Sequence, residues 1–305
     1  MLISPVMRAA VVFGLGSFEK DLRPFQKDST DQWQIGLPAS SQETDAILLF
    51  GGDGTVHRHL AELVKLQLPV LVVPCGSGND FARALGMPTS RHALAAWQDF
   101  RAGNKNVRVI DLGVITPREA EPSTTREHYF CCVGGIGLDA EVARRANQLP
   151  RWLRGHGGYA ASLLPTLFSF APLAIKLGLP SGHDPTSFAV HSQGPVVLAA
   201  FANGPTYGGG MKIAPRARMD DGQLDVCLVH EINPFKLFCL FPTVYFGRHL
   251  GISGVEYFQA HSLRLETEHP LDVYADGEYV CQTPIDVSVA RAALRVIVQP
   301  SLTGF

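Results

Sequence analysis

Five residues, Gly51-Gly52-Asp53-Gly54-Thr55, stand between the apolar run Ala46–Phe50 and a segment with Val56, Leu60, Leu63 and Val64 at helical spacing. Three glycines let the backbone turn tightly and bring N–H groups at a helix start close to a ligand, a geometry suited to a polyphosphate. Asp53 could then engage Mg²⁺ through water, and Thr55 could hydrogen-bond a phosphate. The same residues also suit a glycine-rich turn that binds nothing. A second loop, Val73-Pro74-Cys75-Gly76-Ser77-Gly78-Asn79-Asp80-Phe81-Ala82-Arg83, again joins a buried strand to a helix. By itself it reads as a helix start capped by Asn79 and Asp80. In a parallel sheet two such loops emerge on one edge, where they can line a single phosphate and metal site.

Two further places carry candidate carboxylates. Asp276 ends Leu271-Asp272-Val273-Tyr274-Ala275-Asp276 and is followed by Gly277 and Glu278. Taken alone, Asp-Gly after a strand favours a plain hairpin turn over a catalytic carboxylate. Arg218-Met219-Asp220-Asp221-Gly222-Gln223, read from its residues, is a turn opening a strand and needs no metal. The eleven histidines show no ligand spacing, His57 and His59 pointing different ways on a helix. The six cysteines also lack metal-ligand spacing, and adjacent Cys131 and Cys132 make an unlikely disulfide; buried thiols in a reducing cytoplasm are expected.

The elements that must position these residues fall into two textures. Up to about Asp111, strands at Arg8–Phe13, Ala46–Phe50 and Val70–Val73 alternate with helical patterns, as in a doubly wound parallel sheet. Beyond it, strand-like segments dominate at Val107–Val114, Tyr129–Val133, Val196–Ala202, Leu224–Val229, Leu263–Thr267, Leu271–Ala275 and Leu294–Val298. These predict an antiparallel β domain interrupted by helices at Ala140–Gln148, Tyr159–Phe170 and Pro234–Arg248. Arg118–Glu127 and Pro180–Ser187 read as exposed loops.

The length of 305 residues suits two domains, and 46% apolar with 18% charged residues is a globular composition. A net charge of −2 gives no global field toward nucleic acid or an anionic membrane, leaving only a local basic patch open. The start is too short and weakly apolar for a signal peptide. No run reaches the ~18 apolar residues of a membrane span. Gly157–Pro180 comes nearest, but with Pro165, Pro172 and Lys176 it reads as helical pieces.

GGDGT followed at this distance by P-x-G-[ST]-x-N-D-F-A-R resembles the catalytic domain of diacylglycerol kinases, bacterial lipid kinases and sphingosine kinases. The resemblance continues through Ile110-Asp111-Leu112-Gly113, Gly134 to Val142, Asn203-Gly204, Gly208 to Met211, Pro215-x-Ala217, Asp220 to Val226 and Asp276-Gly277-Glu278. It implies an α/β nucleotide-binding domain over residues 1–112, rejoined by about 292–305. A β-sandwich-like lipid domain is implied over 113–291, with the active site in the cleft between the two. It further implies ATP held by Gly51, Gly52, Asp53, Gly54, Thr55, Val56 and His57, with Gly76, Ser77, Asn79 and Asp80 from the second loop. Asp53, Asp80 and Asp111 match a network around the nucleotide's Mg²⁺, three carboxylates that only a cation would reconcile. Asp276 matches the general base, supported by Glu278. A second, structural Mg²⁺ would be held by Asp221 with the carbonyls of Arg218 and Gln223.

The activity so implied is phosphorylation of a lipid hydroxyl by ATP·Mg²⁺, in a cytoplasmic protein peripheral to the membrane, with no nucleic-acid partner. Gly157–Leu177 is expected to pack in the second domain, with contact to the bilayer as an alternative. The amino end departs from the family: Gly14-Leu15-Gly16-Ser17 stands where relatives carry Asn-Pro, and about thirty residues then lead to the Ala46–Phe50 strand. Two alternatives stay open: a soluble nucleotide kinase such as NAD kinase, whose members also carry GGDG, and a non-catalytic lipid- or nucleotide-binding homologue, to which the shortened amino end points.

Overall fold

The computed structural model describes residues 6–27, 30–118, 127–148, 166, 170–182 and 187–299. The chain divides into two compact units, Met1–Ile110 with Ala292–Phe305, and Asp111–Arg291.

The first unit is a parallel α/β sheet. Its strands are β1 (Arg8–Phe13), β2 (Gln32–Ile35), β3 (Ala46–Gly51), β4 (Pro69–Pro74) and the end of β15 (Ile285–Ile297), in the order β15-β4-β3-β1-β2. The register runs Val11↔Leu48 and Leu48↔Leu71, closing with Val296↔Val70. Every residue of β3 is buried, the mark of a parallel strand covered on both faces. The helices are α1 (Glu19–Gln26), α2 (Asp53–Leu66), the short α3 (Asp80–Ala84) and α4 (Ser90–Arg101). α2 packs on β3 and α4 on β4. Buried Asn106 ties the end of the unit's first segment to its second: Nδ2 donates to Val298 O at 2.8 Å, and the Asn106 backbone O accepts from Val298 N at 2.9 Å.

The second unit is antiparallel. β9 (Phe188–Ala202) runs beside β8 (Leu173–Pro180) with its first part and between β7 (Val133–Gly137) and β10 (Leu224–His230) with its last. β11 (Val255–Ala260) continues from β10, and β12 (Ser262–Thr267) from β8. The hairpin β13 (Asp272–Ala275) and β14 (Glu278–Gln282) joins through β13 to β7. β5 (Val107–Pro117) pairs with β6 (His128–Phe130) through residues Gly113–Ile115. One core of Ile136, Ile175, Leu177, Phe201, Leu228, Leu263 and their neighbours lies under these strands. A Cβ on Gly113 would sit 1.9 Å from the Phe130 ring, so only glycine admits that ring. Helices α5 (Leu138–Gln148) and α6 (Pro234–Tyr245) complete the described elements, with a short 3₁₀ turn at His249–Gly251.

Several expectations change. Residues 173–180 form β8, not a helical piece: Ile175 and Leu177 are buried and Lys176 is exposed, a period of two. The expected strand Tyr129–Val133 breaks at Cys131-Cys132, where the backbone turns its donors to a side chain described below. Cys239 is exposed, and Cys75 and Cys281 are half-buried, so only three of the six thiols are buried; none is in a disulfide. The expected helix Tyr159–Phe170 and much of Arg118–Glu127 and Pro180–Ser187 lie outside the described residues. No helix among the described residues is long and apolar enough to cross a membrane.

Candidate functional site

In the first unit, β3 delivers Gly51 to the N-terminus of α2, and β4 delivers Cys75 to the N-terminus of α3. The two loops touch at their glycines. A Cβ on Gly76 would lie 2.6 Å from Gly52 Cα, and one on Gly52 would lie 3.0 Å from Gly76 Cα. Cys75 N donates to Gly51 O at 3.0 Å, continuing the sheet into the loops. Asp53 then binds them: Oδ2 accepts the N–H of Asp80 and Oδ1 that of Phe81, each at 3.0 Å. Asn79 sits in the left-handed region at φ 53°, its Oδ1 accepting from Gly76 N at 2.9 Å and its Nδ2 donating to Gly76 O at 2.6 Å.

Gly76 and Ser77 are exposed, His57 is half-exposed, and Val56 is core. Thr55 is buried against Gly51 and Gly14, where a Cβ at either glycine would collide with its side chain. Ser17 Oγ donates to Gly14 O and Phe50 O, each at 2.8 Å. The Gly14–Ser17 turn is therefore part of this loop cluster, a role its sequence did not signal. Burial first, and then the Asp21 carboxylate, push the Cys75 thiol up, so this loop offers no thiolate nucleophile.

In the second unit, Asp276 and Gly277 occupy the hairpin turn between β13 and β14 with φ of 50° and 84°. Positive φ at both central positions is the demand of a tight hairpin, which Asp-Gly meets. The turn also presents a carboxylate. Asp276 Oδ2 accepts from Cys131 N at 2.8 Å, and Oδ1 from Cys132 N at 2.9 Å and Val133 N at 3.3 Å. Asp276 N donates to Val133 O at 2.9 Å. Glu278 opens β14 opposite Ala275 and is exposed.

The same turn is gripped from its other side. Asn203 N and Gly204 N both donate to Cys132 O, at 2.8 and 2.9 Å. Asn203 is fully buried, and its Nδ2 donates to Cys131 O at 2.9 Å and to Asp111 O at 3.0 Å. Asp111 in turn accepts the Gly222 N–H on Oδ2 at 2.8 Å and donates its own N–H to Met219 O at 2.6 Å. One polar chain thus runs from Asp276 through Cys131–Val133 and Asn203 to Asp111 and residues 219–222. Asn203-Gly204 was visible as a motif; the three backbone donors were not, because any residue supplies an N–H.

The expected three-carboxylate set divides between the units, with Asp53 and Asp80 in the first and Asp111 in the second. Among the described residues no three His, Cys, Asp or Glu side chains converge as a metal-ligand group. At the expected structural site, Asp221 Oδ1 accepts the Gln223 N–H at 3.0 Å and Asp220 pairs with Arg218 at 3.3 Å. The donors expected there, the Asp221 carboxylate with the carbonyls of Arg218 and Gln223, would be hard oxygens, the kind that suits Mg²⁺ or Ca²⁺ and not a softer metal. The glycine cradle and the α2 N-terminus of the first unit fit a phosphate chain.

Residues 21–115 match the diacylglycerol kinase catalytic domain, and residues 133–298 match the YegS C-terminal NAD kinase beta sandwich-like domain. A diacylglycerol kinase of Mycobacterium tuberculosis is 33% identical over 276 residues, covering 88% of this chain and 82% of that protein. A diacylglycerol kinase of Bacillus subtilis is 26% identical over 251 residues, covering 82% and 76%. The crystal structure of a diacylglycerol kinase from Bacillus anthracis superimposes with a TM-score of 0.65 at 19% identity, covering 97% of this chain and 98% of that one, a likeness of fold.

Proposed function

Because the chain belongs to the diacylglycerol kinase catalytic domain family of lipid kinases, we propose that it transfers the γ-phosphoryl group of ATP to the free hydroxyl of diacylglycerol or a close glycerolipid. The observation that carries this reading is the Asp53 tie, which holds two glycine loops at helix starts as one anion-accepting rim. Backbone N–H groups of Gly52, Gly54, Ser77 and Gly78 hold the phosphates, and the small glycines let the backbone approach them. Mg²⁺, bound with the nucleotide, offsets the charge of the phosphate oxygens. Asp276 accepts the hydroxyl proton as the lipid oxygen forms its bond to the γ-phosphorus and the bond to the β-phosphate oxygen breaks, releasing ADP. Cys131–Val133 fix the Asp276 carboxylate, so the base does not have to be oriented at the moment of transfer.

The test is γ-labelled ATP with Mg²⁺ and mixed micelles of diacylglycerol, monoacylglycerol, a sphingoid base and ceramide, with NAD in a parallel reaction. Label in diacylglycerol or monoacylglycerol is expected. Label in a sphingoid base or ceramide alone would overturn the glycerolipid assignment. Label in NAD alone would overturn the lipid kinase and support the nucleotide kinase.

A further inference from the structure

Helix α6 is apolar around most of its circumference. Leu237, Leu240 and Val244, spaced three and four apart, are buried. Phe235, Phe238, Pro242 and Tyr245, spaced three, four and three, form the opposite face. Its ends are open, Phe235 being 70% exposed and Phe246, at the helix end, 72% exposed, while Tyr245 packs edge-on against Phe241. A helix apolar on both sides is normally buried on both, so the aromatic ends of this face are built to be covered.

Charge says by what. From Ile232 to Val255 there is no Asp or Glu, although the chain carries 28 of them. Lys236 and Arg248 in this stretch are exposed. So is Lys212, whose N–H donates to Val244 O at 3.1 Å and which therefore flanks the C-terminal end of α6. Aromatic rings bordered by cations, in a stretch without acidic residues between Glu231 and Glu256, make up the composition that partitions into the headgroup boundary of an anionic bilayer. The net charge of −2 makes this a local device and not an average property of the surface.

We infer that the outward face of α6 docks the protein on anionic bilayers, with Phe235 and Phe246 entering the acyl boundary and Lys236, Arg248 and Lys212 meeting lipid phosphates. This deepens the lipid-kinase reading and rests on it, since a substrate confined to a bilayer requires the enzyme to meet that bilayer. Asn233 Oδ1, accepting the Phe235 N–H at 2.8 Å, caps the helix and sets the first aromatic at its end.

The experiment is co-sedimentation of the full chain with phosphatidylcholine vesicles containing about 30 mol % phosphatidylglycerol, and with pure phosphatidylcholine. The Phe235→Ser, Phe246→Ser double variant should lower partitioning onto the anionic vesicles roughly tenfold or more. Lys236→Glu with Arg248→Glu should abolish the preference for anionic over zwitterionic vesicles. Turnover of vesicle-borne diacylglycerol should fall in parallel, while turnover of a water-soluble short-chain diacylglycerol stays at the wild-type level and shows that the variants are folded. Unchanged partitioning of both variants would overturn the inference. So would a wild-type dimer that becomes monomeric in the aromatic variant with vesicle binding intact, which would assign the face to a second copy of the chain. Vesicle binding that depends on these residues, in a protein that phosphorylates neither lipid, would uphold the docking face and remove the kinase reading instead.

Discussion

Asp53 accepts the backbone N–H of Asp80 on Oδ2 at 3.0 Å, although the two residues lie in different loops. With the matching bond from Phe81, its carboxylate caps the helix that follows the second loop. An acidic residue next to a phosphate site would otherwise repel the ligand; here it is spent on two donors that fix the distance between the loops. Replacing Asp53 by Ala leaves those N–H groups without their acceptor, at a cost of about 1–3 kcal/mol. ATP affinity should fall on the order of tenfold or more as the loops separate. Denaturant titration and nucleotide binding on the same variant check the two effects together.

Gly76→Ala tests the contact itself. Its Cβ would meet Gly52 Cα at 2.6 Å, backbone against backbone, with no flexible side chain to give way. Overpacking of this kind costs about 1–3 kcal/mol. KM for ATP should rise more than kcat falls, because the damage lies on the nucleotide side. Steady-state kinetics at saturating lipid read this split.

For Asp276, substitution by Asn puts an N–H₂ group against at least one of the backbone donors of Cys131–Val133. Turnover should drop by about 10²–10⁴ through loss of the base, and stability by about 1–3 kcal/mol through the mismatched donor. ATP binding should persist. A variant that kept most of its turnover would remove Asp276 from the mechanism.

Asn203 touches no reacting atom and acts as a positioning residue. Asn203→Ala deprives the carbonyls of Cys131 and Asp111 of their shared donor and loosens the turn that holds Asp276. The expected signature is a roughly tenfold lower kcat with KM for ATP unchanged. A purely structural role would lower the yield of active protein and leave kcat per active site alone, which active-site titration distinguishes.

A pH signature comes from Asp225. Burial pushes its carboxyl up, against opposing hydrogen bonds from Tyr257 at 2.6 Å and Gln259 at 3.2 Å. The folded state therefore holds this proton more tightly than the unfolded chain. Its stabilising contribution is complete below the unfolded value near ~4 and is lost as pH rises through the higher folded value. Asp225→Asn should flatten that part of the stability profile, as urea titrations at a series of pH values from about 4 to about 7 would record.

What the residues disclosed beforehand follows from which chemistry is written in side chains. The two glycine loops and the parallel sheet were legible, because glycine spacing and a buried apolar run such as Ala46–Phe50 are local signals. The Cys131–Val133 donors were not: they are backbone groups, and the Asp276 carboxylate that captures them lies more than 140 residues away. Residues 173–180 misled because an apolar stretch next to prolines resembles broken helix until alternation at Ile175, Lys176 and Leu177 is weighed alone. The outward face of α6 was hidden for a related reason. A helix apolar on both sides carries no sign of which side the core will take.

The first unit needs a strand from the far side of the second to complete its sheet. β4 has β3 on one side and Arg295–Val296 of β15 on the other, and Asn106 waits for Val298. On the ribosome, the strands bearing both glycine loops are made early, yet the strand that covers the β4 edge emerges only after Asp111–Arg291 has been synthesised. At ordinary elongation rates that interval is roughly ten to forty seconds. Throughout it the nascent chain carries an open, apolar parallel edge, the kind of template on which neighbouring chains add strands. The protein's exposure to misassembly is thus tied to how soon Arg295–Val296 pairs with β4.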